Sequence, residues 1–126
     1  MLNPTGIAFA LYRVTDVVRA RRFYGETLGL KTCLDMEFAP GKWWIEYDIG
    51  GPSALAISNF DSPGANATPT SGIAIEITNY TDALAAVKAA GIVITFGPNE
   101  FPVCHSFGFK DPDGNDLYLH QRKSTA

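Results

Sequence analysis

The chain states one pattern twice, and that duplication limits its fold more than any other feature. In the first half, GIAFALYRV (residues 6–14) alternates as a strand does, and Thr15 and Asp16 offer helix-capping side chains. VVRARRFYGETL then places Val17, Ala20, Tyr24 and Leu28 on one helical stripe, with Arg19, Arg21, Arg22 and Glu26 mostly off it. Gly29 is a natural C-terminal stop, and strands are expected over residues 31–38, 42–49 and 54–58. In the second half, GIAIEIT (residues 72–78) is a strand, residues 79–81 offer caps and DALAAVKAAG is a helix ending at Gly91. Strands near residues 92–96, 103–110 and 116–121 complete the repeat.

Landmarks recur at an offset of 63: Val14 with Ile77, Asp48 with Asp111, Gly51 with Gly114. Gly29 and Gly91 are 62 apart, so the register is expected to slip once and then recover. A strand–helix–three-strand unit given twice predicts an α+β protein, one domain over residues 1–126. Module one covers residues 5–58 and module two residues 72–121; the Pro-, Gly- and Ser-containing stretch at 59–71 is the expected linker.

Composition narrows the function. A net charge of −3 and a pI near 5.2 oppose nucleic-acid binding, which needs a basic face toward phosphates. No apolar run approaches the roughly 20 residues that span a bilayer, and MLNPTGIAF lacks the pattern of a secretory signal. Cys33 and Cys104 form neither a disulfide framework nor a CxxC pair. A cytoplasmic protein with no membrane partner is the expectation.

Three stretches, VTDVVRARRFYGETLGL, EITNYTDALAAVKAAGI and FKDPDGNDLYLHQ, resemble the vicinal oxygen chelate superfamily, which includes glyoxalase I, extradiol dioxygenases and bleomycin-resistance proteins. The resemblance implies a glyoxalase/bleomycin-resistance-like fold of two tandem βαβββ modules forming a concave mixed sheet, commonly as a homodimer. In metal-using members it implies His, Gln or Glu ligands on the first and last strands of each module. The matching positions hold Phe9, about Leu55, Gly72 and Tyr118. Three of these side chains have no lone pair to offer, and a neutral tyrosine is a poor ligand for first-row metals. No cofactor is therefore expected; a displaced Mn, Fe, Ni or Zn site is the alternative.

Strand alternation selects what else could line such a cup. His120 and Glu76 share the face of Tyr118, and Glu46 shares that of Trp44 and Asp48, giving a candidate acid–base set of His120, Glu76 and Glu46. Arg13 shares parity with Phe9 and could clamp a carboxylate. The plainer readings are a solvated strand end for His120, a structural Arg13–Glu76 pair and a wall tyrosine at Tyr118. Only one of Trp43 and Trp44 can face inward. For His105 two arguments conflict: apolar parity with Val103, Phe107 and Phe109 puts it on the helix side, whereas the 63-residue offset pairs Trp44 with Phe107 and puts that face in the cup.

Two functions fit. One is metal-independent capture of a small molecule by a cup lined with Phe9, Arg13, Trp44, Leu55, His105 and Tyr118. The other is a lyase, isomerase or dioxygenase-like enzyme with a displaced metal or a metal-free acid–base site.

Overall fold

The computed structural model describes residue 3, residues 7–59 and residues 72–123. The chain divides into two compact units, Met1–Thr70 and Ser71–Ala126. Residues 60–71 of the expected linker lie outside the described residues. Asn59, at its start, is pinned: its Oδ1 accepts from the Trp43 N–H at 2.8 Å and its Nδ2 donates to the Gly41 carbonyl at 2.9 Å.

The first unit holds β1 (Phe9–Arg13), α1 (Val17–Arg21), β2 (Lys31–Ala39), β3 (Lys42–Asp48) and β4 (Ala54–Ser58). Asp16 caps α1 by accepting from the Arg19 N–H at 3.0 Å. The helix continues as a wider π turn over Arg22–Thr27, where the Leu28 N–H reaches back to the Phe23 carbonyl at 2.8 Å. The sheet runs β1-β4-β3-β2, with β1 parallel to β4 and the other pairs antiparallel. Its helix side is apolar: Tyr12, Val14, Ile45, Tyr47, Leu55 and Ile57 are buried, as are Ala20 and Tyr24 of the helix. Tyr24 stacks between Tyr12 and Tyr47, with centroids at 6.4 and 5.8 Å, contacts of about 0.5–1.5 kcal/mol each beyond burial. Burial pushes the Tyr47 hydroxyl's pKa up.

The second unit repeats the order with β5 (Ile73–Glu76), α2 (Tyr80–Ala89), β6 (Ile94–Glu100), β7 (Cys104–Lys110) and β8 (Asp116–Arg122). Asn79 is the cap, accepting from the Asp82 N–H at 3.1 Å. The sheet runs β5-β8-β7-β6, with β5 parallel to β8. Phe107, Phe109, Leu117 and Val87 form its core, and Tyr80 packs edge-on against Phe107 at 5.5 Å. The expected βαβββ duplication is thus the architecture.

Pairing corrects the register expected between the halves. β1 and β5 are related by 63 residues, because Leu11 pairs with Ala56 as Ala74 pairs with Tyr118. That same equivalence relates β4 and β8 by 62, and β3 and β7 follow, since Trp44 pairs with Ser58 as Ser106 pairs with His120. The offset does not recover after the helix. A slip of one residue exchanges the two faces of a strand, so it decides which side chains belong to the open face.

Candidate functional site

Each sheet carries a helix on one face, and the face opposite it bears the candidate residues. In the first unit that open face is built from Phe9, Leu11 and Arg13 of β1, Ala54, Ala56 and Ser58 of β4, and Trp44, Glu46 and Asp48 of β3. Phe9 meets Trp44 edge to face, centroids 5.0 Å apart at 89°. The Trp44 indole N–H donates to Glu46 Oε2 at 2.7 Å, which fixes the indole and the carboxylate together. Leu34 and Met36 of β2 pair with Glu46 and Trp44 and extend the same face; both are exposed, as is Phe9 at 45%. Trp43 lies on the helix side, under the Arg21 guanidinium at 4.8 Å, so Trp44 is the tryptophan of the open face.

Leu55 is corrected. It pairs with Ala10 and Tyr47 and is fully buried on the helix side, so it cannot line the open face. The position equivalent to Tyr118 is Ala56, and the one-residue error came from carrying the 63-residue offset into β4. His105 is settled by the same register. It shares a face with Phe107 and stacks near Tyr80, centroids 5.0 Å apart, with Glu100 at 4.0 Å. The apolar-parity argument was the sound one, and the offset argument placed His105 on the wrong face. Neither Leu55 nor His105 lies with the remaining candidates.

On the open face of the second unit, Glu76 and His120 are register partners on β5 and β8. His120 Nδ1 lies 2.5 Å from Glu76 Oε1, and the Arg122 backbone N–H donates to Glu76 Oε2 at 2.7 Å. Both carboxylate oxygens are therefore engaged within this unit. The Arg122 N–H and His120 each favour the ionised form, so the Glu76 carboxyl sits below its ordinary pKa. An ionised carboxylate only accepts, so the shared proton belongs to His120 Nδ1 and leaves Nε2 as the lone-pair nitrogen of the neutral ring. The plainer reading of His120 as a solvated strand end does not describe this arrangement, since the imidazole is 25% exposed and hydrogen-bonded.

Two residues along, Tyr118 lies over Gly108 and meets Phe96 edge to face at 5.4 Å. A Cβ on Gly108 would stand 2.6 Å from Tyr118 Cδ1, so glycine at 108 is what lets the ring lie down. Phe96 and Gly108 went unnoticed in the sequence because nothing local ties them to Tyr118; only the strand pairing does.

Three of the four metal positions implied by the resemblance, all but Tyr118, have no side chain that could hold a metal. Phe9 and Ala56 offer no donor atom. At Gly72 a Cβ would stand 2.2 Å from the Asp116 carbonyl oxygen, so no ligating side chain could be placed there without moving backbone. Among the described residues no group of three or more His, Cys, Asp or Glu comes together as a metal site. No described helix is long and apolar enough to cross a membrane.

The model of the Glyoxalase/Bleomycin resistance protein/Dioxygenase superfamily matches residues 6–119. The chain belongs to this family. Solved structures show how widely this fold is shared. TnmS3, an antibiotic binding protein from Streptomyces sp. CB03234, superposes with a TM-score of 0.81 at 22% identity, covering 98% of this chain and 100% of its own. A glyoxalase/bleomycin resistance protein from the same source gives 0.76 at 25% identity over 92% and 100%. A glyoxalase/dioxygenase from Nostoc punctiforme gives 0.75 at 21% over 98% and 97%. No curated protein matches. The glyoxalase-like α+β fold is therefore common to this chain, to an antibiotic binding protein and to a glyoxalase/dioxygenase.

Proposed function

We propose that this member of the glyoxalase/bleomycin resistance family captures an amphipathic small molecule on the open sheet face of its first unit, without the metal of the family's metal-using enzymes. The observation that carries this reading is the Phe9–Trp44–Glu46 assembly: two crossed aromatic rings with a carboxylate locked to the indole. Aromatic walls provide contact area at low entropic cost, and Glu46 favours a ligand bearing a cation or a hydrogen-bond donor. The open face of the second unit carries an aromatic pair of its own, Phe96 and Tyr118. The likeness to an antibiotic binding protein supports the same choice.

A binding molecule must stabilise the native state, by about 2.7 kcal/mol at a concentration 100 times its Kd. The test is a thermal-shift screen of aromatic and cationic amphiphiles, repeated on Trp44→Ala. A hit that weakens in this variant supports the reading, and a broad screen without a shift removes it. Elemental analysis of untagged protein incubated with Mn, Fe, Ni or Zn and then desalted tests the metal clause; near-stoichiometric retention defeats it. The proposed homodimer and cytoplasmic setting are tested by light scattering and by fractionation. Exposed Leu34, Met36 and Phe38 on edge strand β2 favour the dimer, and the two free cysteines favour a reducing compartment.

A second reading rests on the His120–Glu76 pair: an enzyme, such as a lyase or isomerase, that uses His120 as a metal-free general base. A bell-shaped pH–rate profile lost in His120→Gln would favour it over pure binding.

A further inference from the structure

One row of strand partners crosses the whole second sheet. Glu76 of β5 pairs with His120 of β8, His120 with Ser106 of β7, and Ser106 with Asn99 of β6. Directly paired residues project from the same face, with Cβ atoms about 4.5–5.5 Å apart in the antiparallel pairs, and β6 brings Asn99 opposite Ser106 after a register shift between Phe96 and Asn99. The row thus aligns a carboxylate, an imidazole, a hydroxyl and a primary amide, in that order. These are the groups that orient a base, remove a proton, attack a carbonyl and stabilise an oxyanion.

We propose that this row is an acyl-transfer site, with Ser106 as nucleophile, acting on an ester or similarly activated acyl compound with an apolar acyl part. The proposal rests on the second reading above, metal-free acid–base chemistry at His120, and adds the nucleophile, the oxyanion donor and the substrate class. Glu76 holds the Nδ1 side of the imidazole at 2.5 Å and is itself held by the Arg122 N–H. The remaining Nε2 is the base, and Ser106 flanks His120 on the strand opposite Glu76. Among the described residues no hydrogen bond joins Ser106 Oγ to His120. Such bonds commonly close only around bound substrate. Ser106 is 7% exposed, so attack would take place in a site largely screened from water. The neighbouring row supplies the apolar bed: Ala74, Tyr118, Gly108 and Phe96, with the two rings in edge contact.

The chemistry balances without another reactant than water. Ser106 Oγ forms a bond to the acyl carbon while His120 Nε2 takes the hydroxyl proton, and the Asn99 amide donates to the oxyanion. The bond to the leaving alkoxide then breaks as His120 returns the proton to it. Water repeats the cycle on the acyl-serine, releasing the acid. Ser106, His120 and Asn99 are the catalytic residues; Glu76 is a positioning residue.

The experiment treats the full chain with a fluorophosphonate probe, maps any adduct by mass spectrometry and follows p-nitrophenyl butyrate hydrolysis. The expected result is one adduct on Ser106, absent from Ser106→Ala, and a hydrolysis rate lowered roughly 100-fold or more in His120→Gln. Glu76→Gln should lower kcat with KM unchanged, because the imidazole loses the acceptor that orients it; a structural role alone would lower the melting temperature and leave kcat per folded molecule in place. Ser106→Cys, which keeps a nucleophile, guards against loss of fold: it should melt as wild type does and retain an acyl-enzyme burst. Hydrolysis lost in His120→Gln but unchanged in Ser106→Ala overturns the nucleophile and leaves the acid–base reading standing. Hydrolysis indifferent to both substitutions overturns both, and folded wild type that neither labels nor turns over overturns the acyl-transfer site.

Discussion

The two units share a strand order and a pairing register, yet their open faces are chemically different. The row that reads Glu76, His120, Ser106 and Asn99 in the second unit reads Arg13, Ser58, Trp44 and Met36 in the first. The next row reads Ala74, Tyr118, Gly108 and Phe96 against Leu11, Ala56, Glu46 and Leu34. One copy sets a carboxylate, an imidazole, a hydroxyl and an amide beside an aromatic pair; the other sets Phe9, Trp44, Leu34 and Met36 around Glu46. The central helix-side positions, Ile45, Tyr47, Leu55 and Ile57 in one copy and Phe107, Phe109 and Leu117 in the other, stay apolar, because that part of the face must be buried for the unit to fold. The comparison teaches that the scaffold constrains one face and leaves the other to diverge.

The largest expected effect tests the shared face. Tyr24 is fully buried between two tyrosines, so Tyr24→Ala should cost about 3–5 kcal/mol in urea unfolding. A loss below 1 kcal/mol would show that the helix of the first unit does not hold its sheet as described.

The equivalent positions Phe9 and Gly72 sharpen the contrast. Gly72→Ala forces a Cβ against the Asp116 backbone and should cost roughly 1–3 kcal/mol, whereas exposed Phe9→Ala should change stability little and weaken ligand binding instead. Equal effects on stability would break the distinction between a closed position and an open one. The two helix caps come next. Asp16→Ala and Asn79→Ala should each cost about 1 kcal/mol, since each removes one side-chain acceptor from the first helical turn. A markedly unequal pair would mean that the π turn after α1 shifts the load between the caps.

The smallest effect concerns pH. Glu76 and Asp35 both have lowered carboxyl pKa values, Glu76 through the Arg122 N–H and His120, Asp35 through its hydrogen bonds from Arg21. A depressed folded-state pKa contributes stability that is fully present above the unfolded value, 4.5 for Glu76 and 3.8 for Asp35, and is lost as pH falls through the lowered one. The urea midpoint should therefore drop on acidification below those values. Glu76→Gln should remove its share on the open face and Asp35→Asn its share on the helix side. Both groups are more than a third exposed, so each share is small and shrinks with salt. A midpoint that rises on acidification would contradict the sign.

Much of this was legible in the sequence. Asp16 and Asn79 announced the helix starts, and the stripe of Val17, Ala20, Tyr24 and Leu28 announced the buried face. Period-two alternation put Glu76, Tyr118 and His120 together, and they are together. Leu55 and His105 went to the wrong face or to none because their assignment depended on an offset between the halves. Ser106 and Asn99 gave no local signal at all.

The chain's own pattern therefore determined the duplication, the element types and the family, because periodicity and capping are properties of neighbours in sequence. Only the tertiary structure decided which residues share a face across strands. Pairing is a contact between distant segments, set by packing and turn geometry, and a single residue of slip after the helix inverts every side chain beyond it.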